Sequence, residues 1–187
     1  MSALPTIASF LPGYHIFPGS GLQRALLVKF MQCTYAELEP NGTYAHLAAT
    51  VDQYFSQETP LWWVKSNRNG DDECADFLNH PIACLWVGTA IDQVSGDRHA
   101  QIFLLYVAPA YRRQGVGAAL MKQAEQWSLA RGDRKIGLQV FQSNQSAVAL
   151  YKRLGYEVQS LGMVKPLSHS ENIKDGKDRD MNPASTS

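Results

Sequence analysis

The sequence predicts an α/β (α+β) fold, with one mixed central sheet and helices on both of its faces. Three observations carry that prediction. Apolar residues recur at helical spacing in some stretches and in short continuous runs in others, so helices and strands interleave along the chain. Residues 101–107 are nearly all apolar, on both faces, as a central strand covered by helices must be. At 187 residues the chain has room for one domain with a real core.

The elements follow in order. Residues 14–17 are expected as a first strand. Pro18-Gly19-Ser20 breaks it, and Ser20 caps a helix whose Leu22, Leu26, Phe30 and Cys33 share one face. A second helix carries Leu47, Val51, Tyr54 and Phe55, and Pro60 ends that region. Leu61-Trp62-Trp63-Val64 reads as a strand. Because facing alternates along it, at least one of the two tryptophans belongs to the core. Residues 65–80, rich in Asn, Asp and Gly, read as a loop. A long strand over 82–91, a turn over 93–98 and the central strand follow.

The clearest helix has a buried stripe of Val116, Leu120, Ala124 and Trp127. Arg131 sits in its last turn, and Gly132 ends it in a left-handed cap. Residues 136–141 form another strand. Ala147, Leu150 and Leu154 mark a short helix that stops at Gly155, and 156–159 with 163–167 finish as a hairpin. Residues 1–13 are thus an N-terminal extension and 14–167 the domain. Residues 168–187 are polar and bury too little to offset their ordering entropy, so a disordered tail is expected there.

Seventeen basic residues balance seventeen acidic ones, which argues against general binding of nucleic acid. No stretch has the length and apolarity of a bilayer span, and the first residues lack the pattern of a secretory signal, so a soluble cytoplasmic protein is expected. Cys33, Cys74, Cys84 and the five histidines form no metal-type spacing, and neither disulfide nor metal is expected. The sequence leaves monomer and homodimer both open.

The chemistry concentrates where the central strand ends. Leu105, Tyr106 and Val107 close the strand, Pro109 turns the chain, and Arg112-Arg113-Gln114-Gly115-Val116-Gly117-Ala118 leads into the clearest helix. Glycines let backbone approach a ligand, the helix start presents unpaired N–H groups, and the arginines add cationic donors, which suits a pyrophosphate. A P-loop would need a lysine after the glycines, and a dinucleotide fingerprint would need a third glycine where Leu120 stands.

Arg112-x-x-Gly115-x-Gly117 resembles the acyl-CoA pyrophosphate motif of the GNAT superfamily of N-acetyltransferases. Residues 144–156 (Asn-Gln-Ser-Ala-Val-Ala-Leu-Tyr-Lys-Arg-Leu-Gly-Tyr) resemble that family's second motif, in the expected order and distance. The resemblance implies acetyl-CoA as co-substrate, with no metal, and a primary amine as acceptor, a peptide N-terminus or a lysine side chain foremost. It implies a splayed strand pair whose gap takes the pantetheine arm along Leu105, Tyr106 and Val107. The Val107 N–H would face the thioester oxygen, where it can stabilise an oxyanion. Backbone N–H groups from Arg113 to Ala118, through Gln114, Gly115, Val116 and Gly117, would hold the pyrophosphate. Tyr151 matches the general acid that protonates the departing thiolate. Asn144 is a cofactor contact, a helix N-cap, or both.

The general base departs from the family pattern. Two strand positions that hold glutamate in many members hold Gln101 and Gln139 here, and glutamine cannot accept a proton at neutral pH. Either the acceptor amine has a low pKa, or the base lies elsewhere, with His99, Asp92 and Glu73 as candidates. His99 is read first as an exposed turn residue. Besides an active enzyme on a peptide N-terminus or lysine, the sequence admits an acetyltransferase for a small-molecule amine, a non-catalytic acyl-CoA-binding module that regulates a partner, and a protein that takes another phosphate ligand.

Overall fold

A computed structural model describes residues 10–67 and 81–167 of the chain. One compact unit runs to Tyr156 and a second begins at Glu157. The first unit holds five strands, β1 (Tyr14–Pro18), β2 (Leu61–Ser66), β3 (Ala83–Ile91), β4 (Arg98–Val107) and β5 (Ile136–Leu138), and four α-helices, α1 (Arg24–Leu38), α2 (His46–Tyr54), α3 (Val116–Arg131) and α4 (Gln145–Arg153). The sheet runs in chain order; β1 to β4 pair antiparallel, and β4 pairs parallel with β5.

Strand alternation sorts the core into two layers. Leu61, Trp63, Cys84 and Trp86 face α1 and α2, and Trp62, Val64, Leu85 and Val87 face α3. Trp62 and Trp63 therefore occupy opposite faces, and both are buried. Leu27, Leu47, Val51 and Leu120 are fully enclosed, each contributing about 1.5–3 kcal/mol through removal from water.

On α1 the buried positions are Leu27, Phe30 and Met31, and Leu22 is exposed. The expected stripe is displaced because residues Gly21–Gln23 form a 3₁₀ turn, whose three-residue period rotates Leu22 off the apolar face. Gln23 is anchored instead: its Oε1 accepts from the Ser20 N–H at 2.8 Å and from Trp63 Nε1 at 3.1 Å. Helix α3 ends as its sequence dictates, with Gly132 left-handed at φ 87°.

A β-bulge sets up the site. Leu104 pairs with Trp86 and Ile102 with Val87, so Phe103 is the extra residue on β4. Across it the pleat resets. Ile102 and Leu105 belong with the α3 layer, and Phe103 and Leu104 both lie with the α1–α2 layer. The Phe103 ring needs Gly88: a Cβ there would sit 2.0 Å from Phe103 Cε2. Trp86 packs against that ring edge-on at 4.9 Å and Tyr54 lies 5.8 Å away, so it has little room to yield. Gly88→Ala is expected to lower unfolding free energy by about 1–3 kcal/mol, the range for overpacking. Adding Phe103→Leu should recover part of the loss, which urea unfolding of both single variants and the double variant measures.

Two expectations fail. Strand β5 stops at Leu138 and not at residue 141, and residues 157–167 carry neither helix nor strand. Alternation marks where a strand is possible, but a ladder needs a partner, and an isolated two-stranded hairpin is marginal on its own. Val158, Leu161, Met163, Val164 and Leu167 are all exposed. The loop expected over 65–80 begins later, since Lys65 and Ser66 belong to β2. Its residues 68–80, with Cys74, and the expected tail at 168–187 lie outside the described residues. Part of the expected extension packs on the core through Phe10 and Leu11.

Candidate active site

The parallel ladder joins only Ala100–Ile102 to Ile136–Leu138. Beyond it β4 continues to Val107 with β3 on one side and an open gap on the other. Backbone direction in the gap follows from parity. The Ala108 N–H donates to the Ile82 carbonyl at 2.8 Å, so along this antiparallel edge Tyr106 also turns its amide toward β3. Leu105 and Val107 then turn theirs into the gap. The Val107 carbonyl, on that side, accepts from Arg112 Nε at 2.8 Å, which leaves the N–H as the group directed at a ligand.

The pyrophosphate turn is a concave run of amides. Arg113 has φ 63° and Gly115 φ 88°, so left-handed residues alternate with others, the geometry that converges successive N–H groups on an anion. Gly115 also starts α3, whose first-turn amides, at Val116, Gly117 and Ala118, have no carbonyl a turn earlier to bond. Gly117 sits between α4 and the end of β4, where a Cβ would make ordinary contact, 3.4 Å from Leu150 Cδ2 and 3.8 Å from Val107 Cγ2. The turn is braced from the N-terminal side. The Tyr14 hydroxyl donates to Gln114 Oε1 at 2.5 Å, and Gln114 Nε2 donates to the Ala110 carbonyl at 3.0 Å.

Gap and turn open into one cleft of about 600 Å³, within the usual size of a ligand pocket. Among the residues expected at the site, Leu105, Tyr106, Val107, Arg112, Arg113, Gly115, Gly117, Ala118, Asn144 and Tyr151 line it. Val116 and Gln114 do not: Val116 is a core side chain and Gln114 is held by Tyr14, so each has only its amide to offer.

Arg112, expected as a cationic donor, lines the cleft and is also paired across it. Its Nη2 bonds both Glu37 carboxylate oxygens, at 2.6 and 2.8 Å, and its guanidinium lies 5.9 Å over the Tyr106 ring. It thereby ties the end of β4 to α1. Glu37, with Thr34 and Leu38 beside it, forms an α1 wall of the cleft that the sequence reading missed. No local pattern marks that wall, because it exists only once α1 lies across β4.

On the opposite wall Asn144 caps α4. Its Oδ1 accepts from the Ala147 N–H at 3.2 Å and from Ser146 Oγ at 3.1 Å, and the residue lines the cleft as well. Tyr151 lies about two turns further along α4 and packs against Tyr156 with ring centroids 5.8 Å apart. Burial pushes its phenol up to about 12, so at neutral pH it holds its proton and serves as a donor, not a base.

The candidate bases disperse. His99 is buried, not an exposed turn residue, and its Nδ1 has no hydrogen-bond partner among the described residues. His99 and Gln101 crowd the space beside Gly137, where a Cβ would lie 2.7 Å from Gln101 Oε1 and 3.3 Å from His99 Nε2. Neither lines the cleft. Asp92 is paired with Lys135 and accepts from the Val94 and Ser95 amides, which hold its carboxyl well below the usual range. Glu73 lies outside the described residues. Gln139 lines a second cavity of about 100 Å³ that shares Leu105, Asn144 and Tyr151 with the cleft.

Comparison with known proteins agrees with this geometry. Residues 27–156 match the model of the acetyltransferase (GNAT) family. An uncharacterized N-acetyltransferase of Methanocaldococcus jannaschii is 31% identical over 101 residues, which is 51% of this chain and 42% of that protein. The chain thus spans less than half the length of that relative. Two solved structures share the fold. A putative acetyl transferase from Pyrococcus furiosus has a TM-score of 0.62 and 23% identity, covering 82% of this chain and 99% of that one. An aminoglycoside antibiotic 6'-N-acetyltransferase from Acinetobacter baumannii has a TM-score of 0.59 and 19% identity, covering 84% and 99%. No helix among the described residues is long and apolar enough to cross a membrane.

Proposed function

Because the chain belongs to the acetyltransferase (GNAT) family, we propose that it moves an acetyl group from acetyl-CoA to a primary amine, with a peptide N-terminus or a lysine side chain as the favoured acceptor. The observation that carries the reading is one continuous cleft. It joins an amide-lined turn fit for a pyrophosphate to a strand gap with the Val107 N–H on one side and Tyr151 on the other. When bound, acetyl-CoA supplies the activated acyl group.

The residues divide the work by position. Amides of the turn from Arg113 to Ala118 hold the phosphates, and the backbone of Leu105 and Val107 pairs with the pantetheine arm. As the neutral amine adds to the acyl carbon, the Val107 N–H stabilises the charge that develops on the oxygen. The C–S bond breaks as the C–N bond is made whole. The sulfur takes the Tyr151 proton, the amine releases its own to solvent, and Tyr151 regains a proton from solvent. Incubation with acetyl-CoA and a panel of amines, following released CoA, tests the proposal. Tight acetyl-CoA binding without turnover on any acceptor would instead support a non-catalytic acyl-CoA-binding module, a reading favoured by the two glutamines at the base positions.

The pH profile should belong to the substrate. Only the deprotonated amine attacks, so kcat/KM rises with pH and levels off near the amine's own pKa, about 7.7–8.0 for an α-amine and about 10.4 for lysine. Tyr151 must stay protonated, and with its pKa pushed up to about 12 it imposes no fall across pH 6–10. Rates on a peptide α-amine and on a lysine side chain over that range check this. An acid limb identical for both acceptors would reveal a base in the protein.

A further inference from the structure

The second cavity points to the chemical class of acceptor, an inference that rests on the acetyltransferase reading. It opens onto the reacting end of the cleft, since Leu105 and Tyr151 border both. Its lining mixes Tyr35, Phe103, Leu138, Val140 and Phe141 with polar groups, and the Tyr35 and Phe141 rings meet edge-to-face at 6.4 Å. The polar groups at its border, Thr34, Gln139 and Asn144 among them, are uncharged, and none of its lining residues is acidic or basic. The nearby carboxylate of Glu37 is already matched by Arg112.

We infer that this cavity selects an α-amine whose neighbouring side chain is uncharged, as at a peptide N-terminus that begins with Leu or Phe, and rejects polycationic amines. Two physical effects converge. A polyamine or aminoglycoside brings further ammonium groups, and burying one without a counter-ion is costly. The same uncharged wall disfavours the protonated form of the attacking amine and lowers its pKa. An α-amine, whose pKa already lies near neutrality, then reaches its reactive form without a glutamate at position 101 or 139. About 100 Å³ is room for a side chain and not for a linked sugar system.

The test compares matched hexapeptides that start with Phe, Leu, Lys or Asp, together with phenylalaninamide, spermidine and an aminoglycoside, by kcat/KM from released CoA. The Phe and Leu peptides are expected to exceed the Lys and Asp peptides by about tenfold or more, a difference of about 1.4 kcal/mol. Gln139→Glu, which places a charge in the wall, should shift preference toward the Lys peptide and spermidine. Phenylalaninamide matching the Phe peptide assigns the selection to a small amine, and a peptide-only response assigns it to a chain terminus; either supports the uncharged α-amine. Equal or better turnover of Lys peptide, spermidine or aminoglycoside overturns the inference and leaves the transferase reading intact. Acetyl-CoA binding with no turnover on any acceptor overturns both.

Discussion

Tyr151→Phe is expected to lower kcat by about 10²- to 10⁴-fold, the usual contribution of a positioned proton donor, with acetyl-CoA affinity almost unchanged. The change removes one oxygen and keeps the ring that packs on Tyr156 and the α3 layer, so α4 and the cleft wall persist. What disappears is the proton for the departing sulfur. Tyr156→Phe is the matched control. Its hydroxyl donates to Glu125 Oε1 at 3.2 Å and does not line the cleft, so kcat should stay close to that of the unaltered protein. Turnover rates and acetyl-CoA calorimetry on the two variants separate the roles. Equal rates for Tyr151→Phe and the parent would remove the phenol from the chemistry.

The contrast between α3 and α1 explains what the sequence could disclose. Helix α3 has a strand before it, a glycine turn at its start, a regular buried stripe and a glycine at its end, so local signals agree and its end at Gly132 was predictable. On α1 the same stripe logic misplaced Leu22, because a 3₁₀ turn shifts phase without leaving a mark in apolar spacing. The cleft shows the same division. Its floor, from Leu105 to Ala118, is contiguous in sequence and was legible. Its far wall, with Glu37 holding Arg112 across 75 positions, exists only through tertiary contact. The early end of β5 belongs to that second class, as does the bulge at Phe103. Both depend on how two strands diverge, and periodicity within one strand carries no information about its neighbour.

Gly115→Val should act on the opposite kinetic term, weakening acetyl-CoA binding by about 10²-fold while kcat at saturation stays nearly intact. Gly115 has φ 88°, and a Cβ there would meet only Leu11, at 3.8 Å, so the penalty is conformational and not steric. A side chain in the left-handed region costs roughly 1–2 kcal/mol, more for a β-branched residue. If the chain rotates out of that region to relieve the strain, the amides that follow turn away from the phosphates. Each hydrogen bond to a charged group is worth about 1.5–3 kcal/mol, so one or two lost amides account for the expected effect. Val107 and Tyr151 are untouched, so KM rises where Tyr151→Phe lowers kcat. Gly132→Val supplies the control, since Gly132 has φ 87° at the other end of the same helix, away from the cleft. It should lose comparable stability on thermal unfolding and keep its acetyl-CoA affinity. If both glycine variants bind acetyl-CoA like the parent, the turn at Gly115 is a structural bend and the pyrophosphate lies elsewhere.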